Sequence, residues 1–241
     1  MSLVLSLFPG IGLLDMAFEE QGFCVVRGPD VLWGGDVKRF HPPKGRFDGV
    51  IGGPPCQQFS RFAEMARYRG YTLAENLIPE YERCVVECAP RWFLMENVPD
   101  APEPAIYDYG VISFLLNNRW VGGTQNRLRR FSFGVRGSVC ALSAYMDFEV
   151  FEPIEWKPAV CARGEQYNRK TKEGKWKISN TGATVRTVER GIALQGLPSD
   201  FFEHSPFTVE GKQKMIGNGV PLPMGRAIAK AVKEAVCKMS V

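Results

Sequence analysis

At 241 residues, with 45% hydrophobic and 23% charged side chains, the chain suits one sizeable domain with a small appended lobe. No apolar run approaches the roughly 18 residues of a membrane span, and "MSLVLSLFPG" lacks a secretory leader's basic start and cleavage site. The net charge of +4 is too mild to establish a nucleic-acid partner alone, and the 7 scattered cysteines argue for reduced thiols in a cytosolic protein.

In chain order, "LVLSLF" reads as a buried strand, "PGIG" as a glycine turn and "LLDMAFEEQG" as a helix. Leu13, Leu14, Ala17 and Phe18 form its apolar face and Gly22 its stop. "FCVV" and the nearly all-apolar "FDGVIGG" follow as strands, the second buried on both faces. "NLIPEYERCVVECAP" is helical after Pro79, with Tyr81, Cys84, Val85 and Cys88 on one side. Cys84 and Cys88 find no second His/Cys pair to complete a zinc site, so neither metal nor disulfide is expected. "RWFLMENV" is the next strand, "PDAPEPAIYDYG" a proline-rich connection, and "VISFLL" and "RRFSFGV" are strands around an arginine-rich loop. Between Ser138 and Gly182 the periodicity dissolves. It returns at "TVRTVERGIALQGLP", and the chain finishes in a helix that starts after Pro221 or Pro223.

Strands alternating with helices predict an α/β fold with a mostly parallel sheet. "FPGIG", "GGPPC" and "ENVP" each follow a predicted strand, so they line one edge of that sheet, where α/β folds bind ligands. Gly10 and Gly12 open the backbone to a ligand at a helix N-terminus. In "GGPPCQQFS" a stiff turn aims one thiol, Cys56, a clamp that a buried structural cysteine would not need. Glu96 ends an apolar strand in a carboxylate that its surroundings can tune to carry a proton. Gln125, Arg127 and Arg129 alternate and share a face if extended, fit to hold an anion or a polarised carbonyl. The basic runs holding Arg119 to Arg136 and Arg163 to Lys177, interleaved with Trp120, Tyr167 and Trp176, suit a phosphate backbone with bases nearby. The second run reads equally well as a solvated loop.

"FPGIG", "GGPPCQQFS", "ENVP", "QNRLR", "RTVERGIALQGLPSDF" and "IGNGVP" occur in one order over most of the chain. Together they resemble the DNA cytosine-5 methyltransferases. The resemblance implies a Rossmann-like S-adenosylmethionine-dependent methyltransferase fold with flanking helices and a small recognition lobe. It also implies an enzyme that flips a cytosine out of double-stranded DNA. On that resemblance Cys56 adds to carbon 6, Glu96 protonates ring nitrogen 3, and Arg129, supported by Arg127, steadies the 2-carbonyl oxygen. The cofactor falls to Phe8, Gly10, Gly12 and Leu13 of the first motif, Asp36 near the adenine, Pro54 of the thiol turn, and Leu77. Asn218 and Val220 match the segment that folds back on the first motif, which puts the last helix beside the first.

The sequence departs from the family in four places, one of them the helix expected after "ENVP", which is reduced to "DAPEPAIYDYG". Leu13 stands where a second glycine is usual. The stretch after the second strand is short, which leaves Asp30 as the candidate for the ribose hydroxyls. The recognition lobe is confined to residues 138–182, between a catalytic and cofactor-binding domain at 1–137 and a scaffold segment with the returning helix at 183–241. So small a lobe predicts a short target sequence or heavy reliance on phosphate contacts. The expected protein is a cytoplasmic monomer, bacterial or phage-encoded, without membrane or metal. Alternatives are a methyltransferase-fold nucleic-acid binder with weak or no catalysis, and the same chemistry on RNA. A plain thiol enzyme is more distant, because neither His41 nor His204 lies in a partner motif.

Overall fold

Apolar residues alternate between two layers along each central strand. Val4, Ile51, Trp92 and Leu94 belong to one buried cluster, whereas Leu5, Leu7, Val50, Phe93 and Met95 belong to another. A period of two sends successive side chains to opposite faces, and a sheet covered on both faces therefore needs near-continuous apolar runs. The computed structural model describes residues 2–55, 57–59, 63, 68, 70, 73, 75–149, 157–160 and 188–239. Cys56 and the basic run from 163 to 177 lie outside the described residues.

The central sheet has six strands: β1 (Leu3–Leu7), β2 (Cys24–Arg27), β3 (Gly49–Gly52), β4 (Trp92–Asn97), β5 (Tyr109–Asn117) and β7 (Leu128–Arg136). Their order across the sheet is β2-β1-β3-β4-β7-β5. The first four pair in parallel, and β7 runs antiparallel to both β4 and β5. Every strand but β7 therefore points the same way, as the alternating pattern predicts. A two-residue strand β6 (Gln125–Asn126) pairs in parallel with β8 (Lys157–Pro158) beside the sheet.

Helix α1 (Leu13–Glu20) covers one face together with α5 (Leu222–Lys238). The two pack tightly: a Cβ on Gly225 would lie 3.0 Å from Ala17, and Arg226 pairs with Glu20 at 2.6 Å. The last helix thus sits beside the first, as the "GNGVP" segment implies. Phe18, Phe23, Trp92 and Phe133 form an aromatic stack beneath them, with adjacent ring centroids 5.1–6.3 Å apart. Burying side chains of this size stabilises the fold by about 1.5–3 kcal/mol each.

Helix α2 (Ile78–Cys88) covers the other face. Pro79 lies in its first turn and Ala89, at φ 53°, closes it. Cys84 and Cys88 are fully buried there, and burial pushes both thiols up to about 11. They pack as small apolar groups.

Two further helices, α3 (Val188–Gln195) and α4 (Val209–Asn218), precede α5. The sequence pattern does not announce α4: among its residues only Met215, Ile216 and Gly217 are buried, too short a run to establish a helical period. Residues 138–149, where the recognition lobe is expected to begin, contribute Leu142 and Met146 to the α1/α5 core, and Asp147 pairs with Lys230 of α5.

Candidate active site

The turn from β1 to α1 is strongly constrained. Phe8, Gly10 and Gly12 all have positive φ, at 56°, 55° and 80°. Left-handed backbone suits glycine because a Cβ crowds the following carbonyl. Space does not demand glycine at Gly10: a Cβ there would meet nothing within 4 Å, which leaves its outer side open to a ligand. Gly12 is closed instead. A Cβ on it would lie 2.5 Å from Nη2 of Arg27.

Arg27 is held by Asp15, whose Oδ2 accepts from Nε at 3.0 Å while Oδ1 accepts from Ser6 Oγ at 2.5 Å. Burial raises the Asp15 carboxyl above the usual range, against the pull of Ser6 and Arg27. The N-cap of α1 is Gly12, which supplies no side-chain cap to the first-turn N–H groups.

Leu13 does not crowd the turn. Its side chain is 2% exposed and lies in the core, where a Cβ on Gly219 would come within 2.5 Å of its Cδ1. The leucine in place of a second glycine is thus accommodated by a glycine in the returning "GNGVP" segment. Asn218 is exposed at the end of α4, and Val220 is buried just beyond it.

The short stretch after β2 wraps around the same turn. The Asp30 carboxylate accepts from Gly10 N at 2.9 Å and from Leu32 N at 2.8 Å. Trp33, in the 3-10 turn that Asp30 caps, donates Nε1–H to the Gly10 carbonyl at 2.9 Å. Asp36 caps the next such turn through Lys38 N, and Lys38 in turn pairs with Glu75, two residues before Leu77. Leu77 and Phe8 are partly buried against the α2 cluster.

At the carboxyl end of β4, Glu96 is 8% exposed and pairs with Arg129 Nε of β7 at 2.9 Å. Its other oxygen approaches the thiol turn: a Cβ on Gly53 would lie 2.9 Å from Glu96 Oε2. Burial raises the Glu96 carboxyl, opposed by the charges of Arg129 and Arg127. Such a carboxyl can hold a proton that an ordinary glutamate would have lost, and can share it with a base that enters. Asn97, 2% exposed, donates Nδ2–H to the Pro54 carbonyl at 3.2 Å and accepts from Val98 N at 2.8 Å. It ties the "GGPPC" turn to the end of β4. Sequence reasoning passed over it, although its place in "ENVP" beside Glu96 was signal enough.

Gln125 and Arg127 face elsewhere. Arg127 is 3% exposed, and its guanidinium donates to the carbonyls of Val160, Gly217 and Gly219 at 2.9, 2.9 and 3.1 Å. Gln125 donates to Leu194 O and Gln195 Oε1 and accepts from Val160 N. Gln195 closes the circuit by donating to Ile216 O and Gly219 O. These side chains cap the carbonyls left open at the end of α4, and they hold both backbone groups of Val160. A continuous strand would put Gln125, Arg127 and Arg129 on one face, but Arg127 lies in the break between β6 and β7, so only Arg129 meets Glu96 while Gln125 and Arg127 enter a buried polar junction. No cluster of three or more potential metal ligands occurs among the described residues.

The chain is similar to known proteins in both sequence and fold. The profile of the C-5 cytosine-specific DNA methylase family matches residues 34–181. Type II methyltransferase M.FnuDI of Fusobacterium nucleatum is 32% identical over 231 residues, covering 83% of this chain and 65% of its own. Type II methyltransferase M.NgoPII of Neisseria gonorrhoeae is 32% identical over 148 residues, 53% of this chain and 38% of its own. The chain therefore spans less than two thirds of either relative. Among solved structures, a mutant form of Spodoptera frugiperda DNMT2 superposes with a TM-score of 0.63 at 13% identity, covering 98% of this chain and 100% of that one. That likeness fixes the fold.

Proposed function

Because the chain belongs to the C-5 cytosine-specific DNA methylase family, we propose that it transfers a methyl group from S-adenosylmethionine to carbon 5 of cytosine in double-stranded DNA. The observation that carries this reading is the buried Glu96–Arg129 pair at the end of β4, set against Gly53 of the thiol turn. A carboxyl raised by burial, a guanidinium and a nucleophile turn at one sheet edge match what a cytosine ring demands. Carbon 5 is too weakly nucleophilic to be methylated unaided. Addition of the Cys56 thiolate at carbon 6 pushes electron density through the ring toward nitrogen 3. Glu96 delivers its proton to that nitrogen, and Arg129 holds the 2-carbonyl oxygen as charge gathers there. Loss of the carbon-5 proton to water after transfer expels the thiolate, and nitrogen 3 returns its proton to Glu96 as the ring is restored. Asn97 fixes the turn from which Cys56 attacks. Arg127 adds its charge to the field at Glu96 while anchoring the returning segment.

When bound, S-adenosylmethionine supplies an electrophilic methyl on sulfonium sulfur. The residues fit it. The open side of Gly10 and the uncapped start of α1 suit its carboxylate end. Asp30 and Asp36 supply acceptors for ribose and adenine, and Phe8, Leu77, Pro54 and Val220 supply apolar surface. Leu13 contributes backbone at the helix start, and Asn218 lies at the returning turn. One copy of each component per chain suits a monomer on one duplex.

The test is transfer of labelled methyl from S-adenosylmethionine to mixed-sequence duplex DNA, with the same-sequence RNA and Cys56→Ser in parallel. Label at carbon 5 of cytosine in DNA, absent in the variant, is expected. Label in RNA alone would move the substrate to RNA, and binding of DNA and donor without transfer would reduce the protein to a nucleic-acid binder.

A further inference from the structure

Both backbone polar groups of Gly10 are held by side chains of a single 3-10 turn. Asp30 accepts from its N–H and Trp33 donates to its C=O, each at 2.9 Å. The Trp33 ring in turn leans on Phe207, with centroids 5.7 Å apart at 57°. Phe207 packs against the α1/α5 core just ahead of Thr208, which caps α4. The Gly10 turn is thus linked through Trp33 to the segment leading into the helix that ends at Asn218.

Core burial does not account for Trp33, which is 57% exposed and sits outside both core clusters. Its informative contacts are the Gly10 carbonyl and the Phe207 ring. A carbonyl in a left-handed glycine turn lies outside any helix or strand ladder, and it needs a partner to hold one orientation.

We propose that Trp33 is a positioning residue for the methyl-donor site: it fixes the Gly10 turn in its receptive shape and braces it on Phe207, so that the donor meets a site already formed. The shortened stretch after β2 performs this task with one turn. Preorganisation of this kind acts on affinity, because a loop held in its bound shape loses less freedom when the ligand arrives. The proposal rests on the reading of the Gly10 turn as the donor site.

The test uses the full chain with Trp33→Phe, which keeps a ring and loses the indole N–H, and Phe207→Leu, which removes the ring contact from the other side. Donor-site affinity is read by calorimetry with S-adenosylhomocysteine, and KM for S-adenosylmethionine and kcat at saturating donor are read on duplex DNA. Trp33→Phe is expected to weaken binding and raise KM roughly fivefold to tenfold, the scale of one hydrogen bond, with kcat unchanged. Phe207→Leu should act in the same direction but more weakly. The double variant should lose less than the product of the two, since both act through one brace. Without any ligand, the amides from Gly10 to Gly12 should exchange hydrogen faster in Trp33→Phe. Affinity within twofold of wild type in both variants, or a fall in kcat at unchanged KM, would overturn the assignment. Should Trp33→Phe not fold, Phe207→Leu and its exchange rates decide alone. A wild-type protein that binds neither compound would remove the donor-site reading itself, an outcome distinct from binding that the variants leave intact.

Discussion

Arg127 separates two roles that one alternating sequence suggests together. Replacing it by alanine removes three charge-assisted contacts, to the carbonyls of Val160, Gly217 and Gly219. Gly219 O keeps a partner in Gln195 Nε2, which leaves two buried carbonyls without this donor. At about 1–3 kcal/mol for each orphaned group, the expected loss is about 4 kcal/mol. For a domain of this size that corresponds to a fall in Tm of roughly 8–16 °C. Arg127→Lys should fall between wild type and alanine, because an ammonium cannot reach three carbonyls with a fixed fork. Well below Tm, kcat should drop modestly. Arg129→Ala should reverse the balance, with kcat reduced on the order of a hundredfold or more and a smaller loss of stability, because Glu96 can take up a proton when its partner goes. Differential scanning calorimetry and single-turnover methyl transfer on the same preparations read both quantities. An Arg127→Ala protein with Tm within about 2 °C of wild type and its turnover abolished would refute the anchoring role and return Arg127 to the chemistry.

Three further perturbations test the site. Because burial raises the Glu96 carboxyl above its ordinary value of 4.5, the folded state holds that proton more tightly than the unfolded chain. Stability from this group is therefore greatest at low pH and declines as pH climbs from 4.5 through the folded value. Glu96→Gln should flatten that part of the urea-midpoint profile, and an unchanged slope would count against it. Gly12→Ala places a Cβ at φ 80° and 2.5 Å from Arg27, so the Asp15 pair must shift. A left-handed penalty of about 1–2 kcal/mol and at least a tenfold weaker donor affinity should follow, and calorimetry showing intact binding would contradict it. Asn97→Ala frees the Pro54 carbonyl and the Val98 amide, a cost of about 1–3 kcal/mol. It should slow covalent trapping on DNA carrying 5-fluorocytosine, and trapping at the wild-type rate would show that the turn needs no tie.

The sequence pattern shows the strands and the first, second and last helices because their burial is continuous or periodic. β3 and β4 are buried at every position, and α2 turns Tyr81, Cys84, Val85 and Cys88 inward at regular spacing. It shows less of what depends on partners distant in the chain. That Arg129 meets Glu96 while Arg127 turns to Gly217 follows from where α4 ends, and α4 itself has too few buried residues to betray its period. Leu13 looks like a defect in a glycine motif until Gly219 is found beneath it, more than two hundred positions away. The sequence offers Asp30 only as a candidate for the ribose hydroxyls, and its hold on Gly10 N is a property of the turn's shape, which no spacing rule encodes. Cys56 itself lies outside the described residues, so its part is carried by the motif alone.

The pairing of α1 with α5 has a consequence for biosynthesis. Ala17 and Phe18 leave the ribosome long before the helix that covers them, which begins only at Leu222. Throughout that interval one face of the nascent sheet is exposed and adhesive, a liability of folds whose contacts are distant in sequence. The same delay keeps the β1–α1 turn incomplete, since Gly219, which packs on Leu13, is translated far later than the turn itself. A chain interrupted before that glycine would carry Cys56, Glu96 and Arg129, yet lack the segment that packs on Leu13 at the first turn. Premature termination is thus expected to yield inert, aggregation-prone fragments and no partly active ones.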